Sequence, residues 1–402
     1  MSTAPAPGPV LRGAGAPRRI VIVINSLAAG GAERVAATMA NAWLDRAHEV
    51  WLVSTYLGAG APAYPLRPGV SVVQLSETIP DHGTTLWRVT LKKICALRQL
   101  LLSIGPDVVI SLLTNVNVLA ILARASSGIP LIISERTDPL HDGVLPRPLR
   151  MARTICYRFA DALVVQSSTA AERFRALVPG VSRMTVIHNP LPAELAASPQ
   201  RAHQQGQGGC VVAMGRLSRE KGFPKLIEAF ANALRDESGW ELRIWGEGPL
   251  REDLQRQVQR LQLSDRVQLC GLTDQPWTAL AAGQIFVLSS EYEGFPNAML
   301  EAMALGLSCI AFDCPSGPRE LADGGRAALL VPHGDVAALA AALGELARDP
   351  GLRRTLGARA ATFVRSQFAQ PSVMADWDAL IEEVTAGRRP QGQRAPTSAP
   401  GR

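Results

Sequence analysis

One pattern constrains this chain more than any other, and it runs twice. Short runs of branched apolar residues alternate with longer helical stretches, first from Arg19 and again from Gly209. In the first pass the apolar runs are 19–24, 49–54, 107–111, 130–134, 162–166 and 184–190, with helical stretches at 30–46 and 86–104. In the second they are 209–215, 242–246, 267–271, 285–290, 309–312 and 328–332, and two further helices are expected from Asp335. Strands separated by helices pair in parallel, and strands covered on both faces read as near-continuous apolar blocks. The pattern therefore predicts an α/β chain of two doubly wound, Rossmann-like parallel-sheet domains, residues 19–192 and 209–386, facing a central cleft. The polar, Gly/Gln-rich stretch 193–208 would link them, and the last helix has the option of crossing back to the first domain. Sheets of this kind bind ligands beyond the carboxyl ends of their strands, and every motif discussed below falls at such an end.

Length and composition agree with two domains. The chain has 402 residues, 47% of them hydrophobic. No apolar stretch reaches the ~18 residues that a membrane-spanning helix needs. The Pro/Gly/Ala-rich leader 1–18 lacks the apolar core of a signal peptide, and it reads as disordered, like the Pro/Arg/Gly-rich tail 387–402. Six cysteines stand at 95, 156, 210, 270, 309 and 314 without Cys-x-x-Cys spacing or a nearby histidine. They read as buried thiols of a reducing cytosol, and no metal site is expected. Charge is uneven: residues 1–190 hold 19 Arg/Lys against 11 Asp/Glu, a net of +8, while residues 191–402 hold 22 against 24. Arg88, Lys92, Lys93 and Arg98 fall in one helical stretch; Arg147, Arg150, Arg153 and Arg158 fall in another, and apolar residues interleave both. Such faces suit an anionic membrane surface. An ordinary solvated helix face explains the same residues equally well. Nucleic acid is disfavoured, because aromatics are only 5% and do not interleave with the basic residues.

The densest motif is Glu293-Gly-Phe-Pro-Asn-Ala-Met-Leu-Glu301, between an apolar strand and a helix stopped by Gly306. Gly294, Phe295, Asn297 and Ala298 offer backbone amides where the helix begins, a seat for phosphate. Glu293 would contact a sugar's hydroxyls, and Glu301 a ribose. Gly215-Arg-Leu-Ser-Arg-Glu-Lys-Gly222 follows the second domain's first strand; Arg216 and Lys221 would neutralise a diphosphate. Lysine is scarce, at 92, 93, 221 and 225 only, so its choice at 221 points to geometry. In the first domain Gly30 and Gly31 permit close approach of a phosphate or sugar at a helix start. Ser134-Glu-Arg-Thr-Asp-Pro139 caps another strand, with Arg136 and Asp138 as acceptor-side candidates or, equally, as a salt-bridged loop. The Cys314–Leu321 segment is a rigid Pro/Gly turn of no evident role. Trp245-Gly-Glu-Gly-Pro249 lacks the third glycine of a dinucleotide fingerprint, and Asp376-Trp-Asp378 lies in a terminal helix and reads as structural.

Together these motifs resemble the retaining glycosyltransferases of family 4, of the two-domain GT-B fold, over residues 19 to about 385. Gly-Gly-Ala-Glu-Arg, Ser-Glu-Arg-Thr-Asp-Pro and Cys-Pro-Ser-Gly-Pro-Arg-Glu further resemble the amylovoran-type enzymes and the N-acetylgalactosaminyltransferases that extend polyprenyl-diphosphate-linked glycans. The resemblance implies a UDP-sugar donor, retention at the anomeric carbon, and neither cofactor nor metal. It implies Arg216 and Lys221 on the diphosphate, amides near Asn297 and Ala298 assisting, Glu301 on the ribose and Glu293 on the donor sugar. Many members carry a histidine after the strand that ends here at Ser134. Glu135-Arg136 stand there instead, so no general base is assigned. The implied acceptor is a lipid-linked saccharide, used by a cytoplasmic protein peripheral on the inner face of the cell membrane. A UDP-sugar 2-epimerase or a phosphorylase shares this fold, but no histidine neighbours Glu293 and no lysine stands out as a pyridoxal phosphate carrier. A non-catalytic nucleotide-sugar-binding protein is the third alternative, and intact Glu293, Glu301, Arg216 and Lys221 argue against it.

Overall fold

Alternating branched residues build both sheets in the computed structural model, which describes residues 16–28, 30–55, 61–75, 86–139, 145–197, 209–237 and 239–386. The first domain runs β1 (Arg19–Ile24), α1 (Gly31–Asp45), β2 (Glu49–Ser54), β3 (Ser71–Gln74), α2 (Leu86–Ile104) and β4 (Val108–Leu112). It continues through α3 (Thr114–Ala123), β5 (Leu131–Ser134), α4 (Arg147–Cys156), β6 (Ala162–Val165), α5 (Ser168–Leu177) and β7 (Met184–Val186). After α6 (Ala193–Ala197), the second domain runs β8 (Gly209–Met214), α7 (Phe223–Leu234), β9 (Trp240–Trp245), α8 (Arg251–Arg260), β10 (Val267–Gly271) and α9 (Pro276–Ala281). Then come β11 (Ile285–Leu288), α10 (Asn297–Ala304), β12 (Ser308–Phe312), α11 (Pro318–Leu321) and β13 (Leu329–Val331). Three helices end the described chain: α12 (Val336–Arg348), α13 (Pro350–Gln367) and α14 (Gln370–Thr385).

Every strand pairing is parallel. The first sheet has the order β3-β2-β1-β4-β5-β6-β7, the second β10-β9-β8-β11-β12-β13. The order reverses between β1 and β4 and again between β8 and β11, so each domain has a crevice at that switch point. Alternation along β1 shows why: Ile20, Ile22 and Ile24 enter one core with Trp43, while Val21 and Val23 enter the opposite core with Val109 and Leu163. Both faces are covered, as the two doubly wound domains require.

The structure departs from the sequence pattern in three places. β3 escapes the pattern: it is an edge strand, exposed or half-buried along its length, and its short apolar run is broken by Ser71 and Gln74. Three helices, not two, follow Asp335. The break is Asp349-Pro350, where the Asp349 carboxylate accepts the Leu352 amide at 2.8 Å and caps a new helix with proline at its first position. Of the expected linker, the first five residues form α6, and 198–208 lie outside the described residues. The expected disordered leader, up to residue 15, and the tail 387–402 lie outside them too.

α14 does cross back. Val373, Met374, Trp377, Leu380, Ile381 and Val384 join the core built on β1 and α1. Trp377 meets Trp43 edge-on at 6.2 Å, and Asp378 accepts the Trp43 indole N–H at 2.8 Å while pairing with Arg46. Asp376-Trp-Asp378 is therefore structural, as the sequence suggests.

Candidate active site

The loop after β8 is shaped by glycine. Gly222 has φ +62°, and a Cβ there would sit 1.9 Å from the Ser289 carbonyl oxygen. Only glycine lets this loop lie against the end of β11. The 3₁₀ turn Arg219–Lys221 then directs Lys221 Nζ to Glu293 Oε1 at 2.7 Å, and Ser290 Oγ donates to the same oxygen at 2.6 Å. Burial is the largest single influence and works against the Lys221 ammonium, but the charge and hydrogen bond of Glu293, with Glu220 and Cys314 behind them, together raise the lysine's pKa. Lys221 thus stays a cation at neutral pH. Arg216 is exposed, and its guanidinium has no carboxylate partner among the described residues.

Across the cleft, Gly294 packs so tightly that a Cβ would lie 1.9 Å from the Arg136 carbonyl oxygen. This backbone-on-backbone contact joins the two domains. Arg136 donates through Nη1 to Asn189 Oδ1, but its buried Nε and Nη2 find no partner among the described residues. Burial pushes its pKa down to about 9, with only Glu135 pulling it back. Unpaired buried donors are costly, which makes this guanidinium a candidate to receive an anion. Lys221, Glu293, Gly294 and Arg136, with Thr114 and Asn115 of α3, line one cleft of about 350 Å³. Leu113, also on its wall, has φ +81° and ψ 145°, backbone strain of the kind that gathers at functional sites.

The remaining candidates meet at a second junction. Glu301 on α10 is 1% exposed; Arg34 of α1 pairs with its Oε1, and Trp277 Nε1 donates to Oε2 at 3.2 Å. Burial raises the pKa of Glu301, and the Arg34 and Trp277 contacts oppose that rise. Asn297 accepts from Asn189 Nδ2 at 2.6 Å and donates to the Gly31 carbonyl at 3.3 Å, and a Cβ on Gly31 would crowd Asn297 at 3.1 Å. The Gly30 amide donates to the Tyr64 hydroxyl at 3.1 Å. Ala298 follows Asn297 in the first turn of α10. The Phe295 side chain is buried between His188 and Phe368, at 5.6 and 5.5 Å, so any part it takes in binding falls to its backbone.

Of the two readings of the 134–139 loop, Asp138 takes the salt-bridged one and does not open on the cleft: it is fully buried, pairs with Arg173 and accepts from Ser316 Oγ at 2.6 Å. The Cys314–Leu321 turn, without a role in the sequence, clasps the domains through that bond and through Glu320, which accepts the Ser168 amide at 2.7 Å. Sequence reasoning missed Arg34, Trp277 and Asn189. Arg34 belongs to the recognised Gly-Gly-Ala-Glu-Arg motif, but nothing local says that it reaches Glu301. Glu135, the first residue after β5, is buried and accepts from Thr114 Oγ1 at 2.9 Å and from the Tyr157 hydroxyl.

Two facing Rossmann-like domains thus bring cations and carboxylates to the carboxyl ends of their central strands, where sheets of this kind bind ligands. Residues 30–190 match the Glycosyl transferase 4-like domain, and residues 208–349 match Glycosyl transferases group 1. The chain belongs to family 4 of the glycosyltransferases. It is 29% identical over 370 residues to a GalNAc-α-(1→4)-GalNAc-α-(1→3)-diNAcBac-PP-undecaprenol α-1,4-N-acetyl-D-galactosaminyltransferase of Campylobacter jejuni, covering 91% of this chain and 99% of that protein. It is 34% identical over 230 residues to an exopolysaccharide phosphotransferase of Streptomyces coelicolor; that match covers 57% of this chain and 24% of the relative, about a quarter of its length. Among solved structures, Anabaena HepE in complex with UDP and glucose superposes with a TM-score of 0.75 at 19% identity, over 91% of this chain and all of that one. That likeness shows the shared two-domain fold.

Proposed function

We propose that this enzyme moves a hexose or N-acetylhexosamine from a UDP-sugar to a lipid-linked, polyprenyl-diphosphate saccharide, with retention at the anomeric carbon. The observation that carries the reading is the cleft itself, where the Lys221–Glu293 pair of one domain faces the Arg136 guanidinium of the other, whose Nε and Nη2 lack a partner among the described residues. Arg216 and Lys221 take the donor's diphosphate, and Glu293 both orients Lys221 and meets the sugar's hydroxyls. The bond from the anomeric carbon to the diphosphate oxygen breaks as the bond to the acceptor oxygen forms on the same face. The acceptor's proton passes to the leaving diphosphate, so no side-chain base is required. Glu301 holds the ribose hydroxyls, for which Arg34 must share or release Oε1. Arg136 receives an anionic group of the acceptor. Because two cations serve the diphosphate, turnover is expected to survive EDTA.

The Campylobacter relative's name supports the acceptor class, and HepE, with UDP and glucose bound, supports the donor. No described helix is long and apolar enough to cross a membrane. In this reading the lipid-linked acceptor is met at the bilayer surface, where its lipid is anchored. The test is the anomeric configuration of the isolated product by NMR. An α-linkage from an α-linked UDP-sugar agrees with the proposal, and a β-linkage contradicts retention.

A further inference from the structure

We propose that the layer formed by α2, α3 and α4 docks on an anionic lipid bilayer, with Met151, Ile155 and Phe159 as the inserting side chains. The proposal rests on the lipid-linked acceptor reading and adds to it the face of the molecule that meets the lipid.

α3 is sandwiched between α2 and α4, so the three helices form one layer on the first sheet. Eight large apolar side chains are exposed among the described residues, and six of them lie on this layer and the 3₁₀ turn that extends α4: Leu91, Leu102, Leu122, Met151, Ile155 and Phe159. Exposed apolar residues are ordinary when scattered and informative when gathered. The last three are 65%, 51% and 55% exposed and follow one another at steps of four, which places them on one helical stripe. The opposite side of α4 is anchored, since Leu149, Ala152, Cys156 and Tyr157 pack into the core.

Charge identifies the partner. Arg147, Arg150 and Arg158 flank the stripe, are exposed, and have no carboxylate partner among the described residues. Arg158 lies over the Phe159 ring, 5.1 Å from its centre. Arg153, by contrast, is buried beside Phe174 and takes no part. No Asp or Glu occurs in 86–104, 114–123 or 147–159. A basic face with an apolar stripe and no acid is complementary to anionic headgroups over an acyl interior. Position agrees as well: Thr114 of α3 and Leu145, two residues before α4, line the cleft. Docking on this layer therefore brings the cleft's mouth to the surface in which a lipid-tethered acceptor is anchored.

The experiment is sedimentation of the full chain with vesicles of phosphatidylcholine alone and of phosphatidylcholine with phosphatidylglycerol. Neither donor nor acceptor is present, so the readout is independent of transfer. The wild type should partition to the phosphatidylglycerol vesicles and far less to phosphatidylcholine alone. Replacing Arg147→Gln, Arg150→Gln and Arg158→Gln together should weaken partition about a hundredfold, whereas the same three changed to Lys should retain it. Met151→Ser, Ile155→Ser and Phe159→Ser together should weaken it as strongly, with the melting temperature and UDP binding unchanged. Wild-type protein left in the supernatant, or undiminished partition of either triple variant, would overturn the proposal. So would a dimer that the serine variant dissolves while vesicles leave the wild type unbound, since the face would then serve a second copy. A protein that binds vesicles and transfers nothing contradicts only the transferase reading. One that transfers to a short water-soluble acceptor and ignores vesicles contradicts only the docking face.

Discussion

Lys221 concentrates the chemistry at the residue scale. Held at 2.7 Å by Glu293 and kept cationic by it, Lys221 supplies preorganised positive charge where a diphosphate would depart. Lys221→Ala should lower kcat by about 10²–10³ with the circular dichroism spectrum unchanged; full activity in that variant would remove Lys221 from the site. Arg136 makes the opposite trade. Its buried Nε and Nη2, without a partner among the described residues, burden the fold, so Arg136→Met should raise the melting temperature. Asn189 keeps its Gln166 partner in that variant. The same change should raise the acceptor KM about tenfold, the loss of roughly one charge-assisted hydrogen bond, and leave UDP affinity alone. A lower melting temperature together with an unchanged acceptor KM would make Arg136 a structural residue.

Contacts between elements explain which parts of the site are readable in the sequence. Glu293, Glu301, Arg216 and Lys221 stand out because short motifs at strand ends carry local signals: glycine turns, charges after apolar runs and a helix start. Arg34–Glu301, Asn189–Asn297 and Asp138–Ser316 give no such signal, since each joins residues far apart in sequence. Edge strand β3 is hidden for a different reason: it is at most half-buried. The Asp349-Pro350 break, by contrast, does carry a local signal, an acid at the cap and a proline at the first helical position, which the sequence pattern overlooks. Gly294 shows how far an element contact governs function. In Gly294→Ala the new Cβ would strike the Arg136 backbone, which no side-chain motion can relieve. The loops should separate by about an ångström or more and kcat/KM fall about a hundredfold, while urea unfolding of the variant stays near wild type. Unimpaired kcat/KM would show that this contact does not set the cleft.

Over the whole molecule, α14 ties the last part of the chain to the first core, so neither half buries its apolar surface alone. Trp377→Ala removes a fully buried indole from that core and should destabilise it by about 3–5 kcal/mol, read from urea unfolding. A change under about 1 kcal/mol would mean that the crossing is loosely packed. The twofold strand pattern makes the two-sheet architecture legible from the order of residues alone. How the two switch points face each other is not legible there, because that depends on the interdomain clasps at Gly294, Ser316 and Glu320. The central claim is transfer from a UDP-sugar to a polyprenyl-diphosphate saccharide. Its most direct test is UDP release from a panel of UDP-hexoses and UDP-N-acetylhexosamines in EDTA, with and without a short polyprenyl-diphosphate saccharide. Release with one donor that rises on adding the acceptor is the predicted result. Release from no donor under any combination, by a protein that still binds UDP, would contradict it.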